Sequence, residues 1–307
     1  MQTAQMWEPV KHVLPARFAK AVEEENLTRG FEEIRLRVGR AVEVSTGRAS
    51  CFLSPEAGDA CFTAQDAAET LERLSRHSVY AYEDEIRQGF ITLPGGHRVG
   101  LCGRTSVTGG RVETIRNVSS FNIRAAKDLV GISRPLHAYL FDDAWLNTLI
   151  IGPPASGKTS LLRDLARSAS VGMNQPYALP HKVGIVDERS EIAASVHGVP
   201  SFQFGERVDV LDRCPKAEGM MMMIRSMSPE VLVVDEIGSE ADAKAVTEAL
   251  QAGIRVFSSA HGASLQDARN RLMLESLFSR GAFERYVVLS NTRGKRQAVV
   301  QTSGVTS

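Results

Sequence analysis

Cysteine is scarce in this chain of 307 residues, and its placement excludes the usual metal-binding patterns. The cysteines lie far apart and never form a Cys-x-x-Cys pair; they are Cys51, Cys61, Cys102 and Cys214. Isolated cysteines of this kind are typical packing residues that stay reduced in the cytoplasm. We therefore favour a cytoplasmic protein over a zinc-binding or disulfide-stapled one.

The chain also lacks a net charge and a long apolar run. Its 36 basic and 36 acidic residues cancel, which gives no overall signal for DNA or membrane binding. No run of about eighteen apolar residues occurs, so we expect no transmembrane helix, and the first residues lack the apolar core of a signal peptide. What the chain does have is a hydrophobic fraction of 43%, enough for a core in each of two domains.

Residues 1–140 have the pattern of a mixed α+β domain. We expect a helix over residues 9–27, a half-buried strand from Phe31 that turns at Gly39, and a helix that begins at Thr63. Between residues 90 and 114, apolar residues lie among glycines, which predicts short strands joined by tight turns, and residues 119–124 are another alternating piece. Gly131 and Pro135 then interrupt the pattern, and we place the domain boundary near residue 140.

Arginines recur on or beside these predicted strands. At any one position, a solvated surface arginine is the ordinary interpretation. The alternative is that one or two of them contact a phosphate bound by the second domain or by a neighbouring subunit, because a guanidinium is permanently charged and offers several donors. Arg116 and Arg124 are the first candidates, and the sequence does not choose between them.

The segment 149–162, LIIGPPASGKTSLL, carries the clearest motif of the chain. Gly152, Gly157, Lys158 and Thr159 fill the fixed positions of the phosphate-binding loop, in which a strand turns into a helix and backbone N–H groups point at phosphate oxygens. The motif predicts bound ATP, with Lys158 on the β- and γ-phosphates and the Thr159 hydroxyl on Mg²⁺. The predicted ATP-binding residues are Gly152, Pro153, Pro154, Ala155, Ser156, Gly157, Lys158, Thr159 and Ser160. The competing interpretation is a fortuitous glycine turn, which the strand-before, helix-after context disfavours.

From Trp145 onward, strand and helix patterns alternate, which predicts an α/β domain over residues 141–307 with a parallel-rich sheet covered on both faces. The predicted strands are 145–151, 182–186, 231–234 and 255–259, followed by an edge pair at 286–289 and 298–301. The predicted helices are 160–168, 216–227, 242–251 and a long one at 265–277. Ligands of such sheets bind beyond the carboxyl ends of the strands.

Two acidic residues follow the apolar run VLVV at one of these strand ends. Asp235 is predicted to hold Mg²⁺, directly or through water. Glu236 is the candidate that orients or deprotonates the attacking water. An ordinary surface acid after a core strand is the alternative, and the phosphate loop upstream argues against it.

Two further strand ends carry polar residues of a suitable type. Asp187 and Glu188 follow the strand 182–186, and they could polarise the water or bind the water shell of the metal; the alternative is a set of loop ion pairs around Arg189. His261 follows the strand 255–259, and its neutral imidazole could sense the γ-phosphate; a structural histidine is the alternative.

Four segments together resemble the stage III sporulation protein AA family. They are GPPASGKTSLLRDLAR, VGIVDERSEIA, VLDRCPKAEGMMMMIRSMSPEVLVVDEIG and SSAHG, and they span at least residues 145–262. That family is similar to the ATPases of type II and type IV secretion systems. The resemblance implies a RecA-like P-loop ATPase core, an acidic box at Asp187 and Glu188, and a histidine box at His261. The chain departs at Ala155, where the family often has glycine, and the alanine predicts an ordinary negative φ while leaving phosphate binding intact.

The resemblance also implies partners and a location. It predicts a homo-hexameric ATPase that acts on the mother-cell side of a channel between mother cell and forespore. It predicts a membrane-embedded partner of that channel and no covalent membrane anchor on this chain. The alternative function is a nucleic-acid-dependent ATPase, since RecA-like motors also move on DNA or RNA, but the sequence shows no appended nucleic-acid-binding module. A nucleotide-binding scaffold without turnover is a third possibility, against which the adjacent acids Asp235 and Glu236 argue.

Overall fold

The computed structural model describes residues 2–28, 30–47, 49–55, 60–75, 83–109, 111–126, 128–174, 176–292 and 295–302. Its chain divides into two compact units, Met1–Lys127 and Asp128–Ser307. The division lies before the predicted boundary at residue 140. Within the described residues, no helix combines the length and the apolar character needed to cross a membrane.

The first unit contains one antiparallel sheet and several helices. Its helices are α1 (Gln2–Val13), α2 (Ala16–Glu24), α3 (Ala64–Leu74) and α4 (Glu83–Arg87), with a 3₁₀ turn at Pro94–Gly96. Its strands are β1 (Phe31–Arg37), β2 (Arg40–Ala41), β3 (Glu43–Thr46), β4 (Ser50–Phe52), β5 (Cys61–Phe62), β6 (Phe90–Thr92), β7 (Arg98–Thr108) and β8 (Arg111–Arg124). The main sheet has the order β4-β3-β1-β8-β7-β6.

Two predictions for this unit need correction. The helix expected over residues 9–27 is two helices, because Pro15 lacks an N–H and caps the start of α2. The short strands expected over residues 90–114 and the separate piece expected at 119–124 are largely one long hairpin, β7 and β8, whose pairing shifts near Gly103. A β-carbon at Gly103 would lie 2.7 Å from the carbonyl oxygen of Arg116, so only glycine allows this bulge. The helix start at Thr63 is confirmed by a capping box with Asp66.

The second unit is the α/β domain. Its helices are α5 (His137–Leu140), α6 (Lys158–Val171), α7 (Lys216–Ser226), α8 (Glu240–Gln251), α9 (Leu265–Arg269) and α10 (Glu275–Ser279), with 3₁₀ turns at Arg134–Leu136 and Leu272–Leu274. Its strands are β9 (Phe141–Asp142), β10 (Ala144–Trp145), β11 (Thr148–Gly152), β12 (Met173–Asn174), β13 (Tyr177–Ala178), β14 (Val183–Asp187), β15 (Val208–Asp212), β16 (Val231–Val234), β17 (Arg255–His261), β18 (Arg285–Thr292) and β19 (Lys295–Thr302).

The main sheet of this unit has the order β15-β14-β16-β17-β11-β18-β19. All neighbours pair in parallel except β18 and β19, which form the predicted antiparallel edge pair. The prediction omitted β15, whose sequence VDVLD lies at the edge and is only half-buried. The long helix expected at 265–277 is broken at Arg271, which is extended, so that Leu274 and Leu277 face the core instead of Leu272.

Both faces of this sheet are covered, as near-continuous apolar strands require. One core layer joins Ile150, Ile185 and Val233 to the apolar side of α6. The other layer joins the residues that alternate with these along the strands, such as Leu232 and Val234, to α7, α8 and α10. Alternate residues of each strand therefore contribute to opposite layers, and the polar residues that follow the strands remain at the sheet's carboxyl edge.

The segment 128–140 belongs to this second unit because α6 holds it with polar contacts. The Asp164 carboxylate accepts the N–H of Gly131 at 2.9 Å and the N–H of Ser133 at 2.8 Å. The Arg167 guanidinium pairs with both carboxylate oxygens of Asp128, at 2.6 and 2.7 Å. Asp164 and Arg167 are both buried, so these contacts bind the segment firmly to the helix that follows the phosphate loop.

Candidate nucleotide-binding site

The phosphate-loop segment connects β11 to α6 as predicted. Gly152 ends the strand, and Gly157 precedes the first helical residue with a φ of 99°. Ala155 has a φ of 58°, in the left-handed region, so the expected ordinary φ is wrong. Short turns force this conformation on an alanine at a cost of about 1 kcal/mol. Pro153 and Pro154 lie in the turn, and Ser160 lies in the first turn of α6.

The loop is packed closely against its own strand. A β-carbon at position 152 would lie 2.5 Å from the Ser156 hydroxyl and 3.2 Å from the Leu289 carbonyl oxygen, so position 152 requires glycine. The Ser156 hydroxyl is buried and has no hydrogen-bond partner among the described residues. A buried polar group of this kind ordinarily finds a partner, and a bound phosphate would supply acceptor oxygens. The loop therefore fits a nucleotide.

The Lys158 amine is turned back onto the loop. Its Nζ donates to the carbonyl oxygens of Gly152 at 2.9 Å and Pro153 at 3.0 Å, and the side chain is buried. Both acceptors are neutral carbonyl groups. A phosphate oxygen is a stronger acceptor for an ammonium group, so this lysine is positioned to exchange one partner for the other.

Thr159 and Asp235 meet although 76 positions separate them in the chain. The Thr159 hydroxyl donates to Asp235 Oδ2 at 2.8 Å, and the Ser259 hydroxyl donates to Asp235 Oδ1. The three residues come from α6, from the end of β16 and from β17, its neighbour in the sheet. A threonine hydroxyl and a carboxylate are oxygen ligands suited to Mg²⁺, so this pair fits the ion that accompanies ATP.

Glu236 lies beside this pair in a strained backbone conformation. Its φ is 51°, and its N–H donates to the Ser259 hydroxyl at 2.9 Å. Its carboxylate accepts from Arg189 Nη1 at 2.8 Å. The ion-pair alternative considered for Arg189 is therefore found, with Glu236 as its partner.

Asp187 is buried, and both of its carboxylate oxygens are hydrogen-bonded to the loop that follows it. They accept the N–H groups of Glu191 at 2.8 Å, Ile192 at 2.9 Å and Ala193 at 2.8 Å. Burial raises the pKa of Asp187 to about 6, although these N–H groups act in the opposite direction. Glu188 instead pairs with the Lys216 amine. The structure thus gives Asp187 a role as a loop anchor, and its predicted contact with water or metal stays a prediction, as does that of Glu188.

Arg163 completes this anchor, and sequence reasoning missed it. Its Nε donates to the Ile192 carbonyl and its Nη2 to the Glu191 carbonyl, each at 2.6 Å. Burial lowers the pKa of Arg163 to about 10, far above neutral pH, so the guanidinium stays charged. A signal was available: Arg163 lies four residues after Thr159, on the same side of α6.

His261 lies at the end of the strand that the sequence predicts at 255–259, now β17. It ends β17 opposite Gly152 of β11 in the parallel register, and the next N–H, that of Gly262, donates to the Gly152 carbonyl at 3.3 Å. This register puts the backbone of His261 next to the start of the loop. Its sensing role stays a prediction.

Comparison with known proteins identifies the family. A family model described as Sporulation stage III, protein AA, matches residues 4–305. The chain belongs to this family. A family relative, Stage III sporulation protein AA of Bacillus subtilis (strain 168), is 51% identical over 287 residues, which is 93% of this chain and 91% of the relative.

Solved structures of other proteins share this fold. The Legionella pneumophila ATPase DotB superposes with a TM-score of 0.60 at 11% identity, covering 94% of this chain and 80% of that one. The pilus retraction motor PilT, solved with bound ADP, gives a TM-score of 0.61 at 13% identity, covering 93% and 83%. The expected RecA-like α/β core, preceded by a smaller α+β domain, is therefore confirmed.

Proposed function

We propose that this chain is an ATP hydrolase that works as a motor of a secretion-like channel complex during endospore formation. The observation that carries the proposal is the hydrogen bond between Thr159 and Asp235, because it joins the phosphate loop to the acid that follows VLVV. The two motifs meet as they would to share one metal ion. Membership of the sporulation family supports the biological setting.

The residues divide the chemistry among them. Lys158, the Ser156 hydroxyl and the N–H groups of the loop would hold the triphosphate, and Thr159 with Asp235 would hold Mg²⁺. The ion supplies charge neutralisation for the phosphate oxygens when it is bound. Glu236 accepts a proton from the attacking water, which makes the water a better nucleophile.

Two variants test this assignment. Lys158→Ala should reduce ATP turnover to background, because the loop loses its cation. Glu236→Gln should bind ATP while turnover falls at least about a hundredfold, because an amide cannot take the proton. Lys244→Ala removes an exposed lysine of α8 and serves as the control for a lost positive charge. Undiminished phosphate release by both site variants would refute the assignment.

We further propose a homo-hexamer in which first-unit arginines complete the site of a neighbouring subunit. The hairpin supports this: Arg104 lies directly opposite Arg116, and both residues are exposed. Like charges in cross-strand pairs destabilise a sheet unless an anion offsets them. Light scattering should detect assembly with ATP, and Arg116→Gln or Arg124→Gln should lower turnover per subunit while each leaves assembly intact. If both variants keep full turnover in the assembled state, the proposal is wrong for these two residues.

The setting can be tested in a spore-forming host. In a Bacillus subtilis strain that lacks its own 51%-identical relative, this chain should restore heat-resistant spores and its Lys158→Ala variant should not. A fluorescent fusion should collect at the mother-cell side of the forespore membrane only when the membrane-embedded partner is present. Restoration by the Lys158→Ala variant would separate the sporulation role from nucleotide binding.

A nucleic-acid-dependent ATPase is the second candidate function, and the exposed Arg104 and Arg116 favour it because they place two positive charges opposite each other on the hairpin. Single-stranded DNA should then stimulate turnover, with an effect that weakens steeply as salt rises. Turnover that is indifferent to DNA would dismiss this candidate and leave the first proposal standing.

A further inference from the structure

The carboxylate of Glu236 is bound to a cation, Arg189, that no part of the proposed mechanism requires. The two side chains approach at 2.8 Å, and both are partly open to solvent, at 64% for Arg189 and 39% for Glu236. We infer that Arg189 is a positioning residue that restrains Glu236 until the terminal phosphate of ATP draws its guanidinium away. This inference rests on the proposed function and deepens it, since it assigns a regulator to the same site.

The backbones on both sides of the ion pair are held in place. Arg189 follows Asp187, whose carboxylate binds three N–H groups of the same loop, and Arg163 binds two carbonyl groups of that loop. Glu236 is held by the bond from its N–H to Ser259. The strands behind the two residues, β14 and β16, are hydrogen-bonded neighbours. Only the two exposed side chains are therefore left to change partners.

The exchange is chemically reasonable. An exposed ion pair between an arginine and a carboxylate contributes little net stability, so it breaks readily. A phosphate carries more negative charge than a carboxylate and accepts the two parallel N–H bonds of a guanidinium. Arg189 extends from the carboxyl edge of the sheet, the side on which ligands of parallel sheets bind. Glu236 would then be released when the phosphate to be cleaved is present.

Nucleotide affinity distinguishes this exchange of partners from a static ion pair. If Arg189 merely neutralises Glu236, the Glu236 carboxylate repels the phosphates little while Arg189 is present. Glu236→Gln then raises the affinity only slightly in the presence of Arg189 and more strongly once Arg189 is removed. If Arg189 exchanges partners, Glu236→Gln also frees the guanidinium for the phosphate. The gain in affinity is then larger with Arg189 than without it.

The experiment is a double-mutant cycle on binding, which needs no hydrolysis. Wild type, Arg189→Gln, Glu236→Gln and the double variant are titrated with a non-cleavable ATP analogue and, separately, with ADP, each with Mg²⁺. We expect Glu236→Gln to bind the analogue about two- to fivefold more tightly than wild type, the range set by an exposed ion pair. In the Arg189→Gln background we expect a smaller gain with the analogue. With ADP, which leaves Arg189 on Glu236, we expect the gain without Arg189 to be at least as large as the gain with it.

Two controls guard the interpretation. Arg255→Gln removes another partly exposed arginine, one paired with Glu284 at 3.3 Å, and should leave the affinity gain caused by Glu236→Gln unchanged. Arg189→Lys keeps a cation and should retain part of the coupling. With the analogue, an equal or larger gain without Arg189 would overturn the inference, as would the same coupling with ADP, while leaving ATP binding intact. Failure of the wild type to bind either nucleotide would instead refute the proposed function.

Discussion

Two neighbouring strands of the parallel sheet end in the same dipeptide, Asp-Glu, yet the two ends do different work. Asp187 after β14 is buried, and its oxygens are occupied by three main-chain N–H groups. Asp235 after β16 accepts two side-chain hydroxyl groups, from Thr159 and Ser259. The difference comes from the chain that follows each acid, because only the first one turns back over its own carboxylate. One strand end is thus a structural anchor and the other a candidate metal ligand.

Replacing each of these two acids with alanine should give the largest effects, and the two variants should differ in kind. Asp187→Ala should lower the free energy of unfolding by about 3–4 kcal/mol at pH 7, because three N–H groups, two of them buried, lose their acceptor. Asp235→Ala should change it by about 1 kcal/mol but reduce Mg²⁺-dependent turnover at least about a hundredfold. Urea unfolding and phosphate release measure both. The comparison fails if Asp187→Ala proves as stable as wild type.

The stability that Asp187 contributes should depend on pH. Burial raises the pKa of Asp187 to about 6 from an ordinary value of 3.8, so between these pH values the folded state binds more protons than the unfolded chain. This residue's contribution to stability is therefore greatest near pH 4 and falls as pH rises to about 6, by at most about 3 kcal/mol. Urea titrations at several pH values should show that the difference in the free energy of unfolding between wild type and Asp187→Ala becomes smaller as pH rises from about 4 to about 6. A difference that stays constant would contradict this assignment.

Helix α6 makes hydrogen bonds at both strand ends: Thr159 bonds to Asp235, and Arg163 bonds to the loop after Asp187. These two residues allow a matched test. Arg163→Met should lower the free energy of unfolding by about 2–3 kcal/mol, because the carbonyl groups of Glu191 and Ile192 lose a charged donor. Thr159→Val, one turn earlier, should cost less than about 1 kcal/mol but weaken Mg²⁺-dependent nucleotide binding. Thermal unfolding and nucleotide titration separate the two. Similar stability losses for both would mean that the helix does not divide these roles.

The smallest expected effect concerns the strand end that begins the phosphate loop. Ala155→Gly relieves a positive φ but makes the unfolded chain more flexible, so the free energy of unfolding should change by less than about 1 kcal/mol. Nucleotide affinity should stay within about twofold of wild type. Gly152→Ala is the contrasting variant, since its β-carbon would meet the Leu289 carbonyl, and it should destabilise the loop. Calorimetry on both variants would reveal whether the strained alanine matters for binding.

Sequence reasoning succeeded where the signal is local. The phosphate loop, the strands at 183–187 and 231–234 and the capped start at Thr63 depend on residues within a few positions of one another. It failed where distant partners decide. Arg271 breaks the helix expected at 265–277 because Leu274 and Leu277 pack into the core, and the segment 128–140 joins the second unit through Asp164 and Arg167.

The sequence by itself determined that a glycine-rich turn would lead a strand into a helix and that acids would follow the buried strands, because apolar runs and glycines act over short distances. The apolar run before Asp235 had already predicted that this acid shares a metal ion with Thr159, but only the tertiary structure decided that Asp187 anchors a loop. That choice depends on the sheet order, which sets β14 beside β16 and β16 beside β17, and on the path of the chain after each strand. No pattern within either dipeptide encodes it, since the deciding N–H groups come from residues 191–193 and the deciding hydroxyl groups from Thr159 and Ser259.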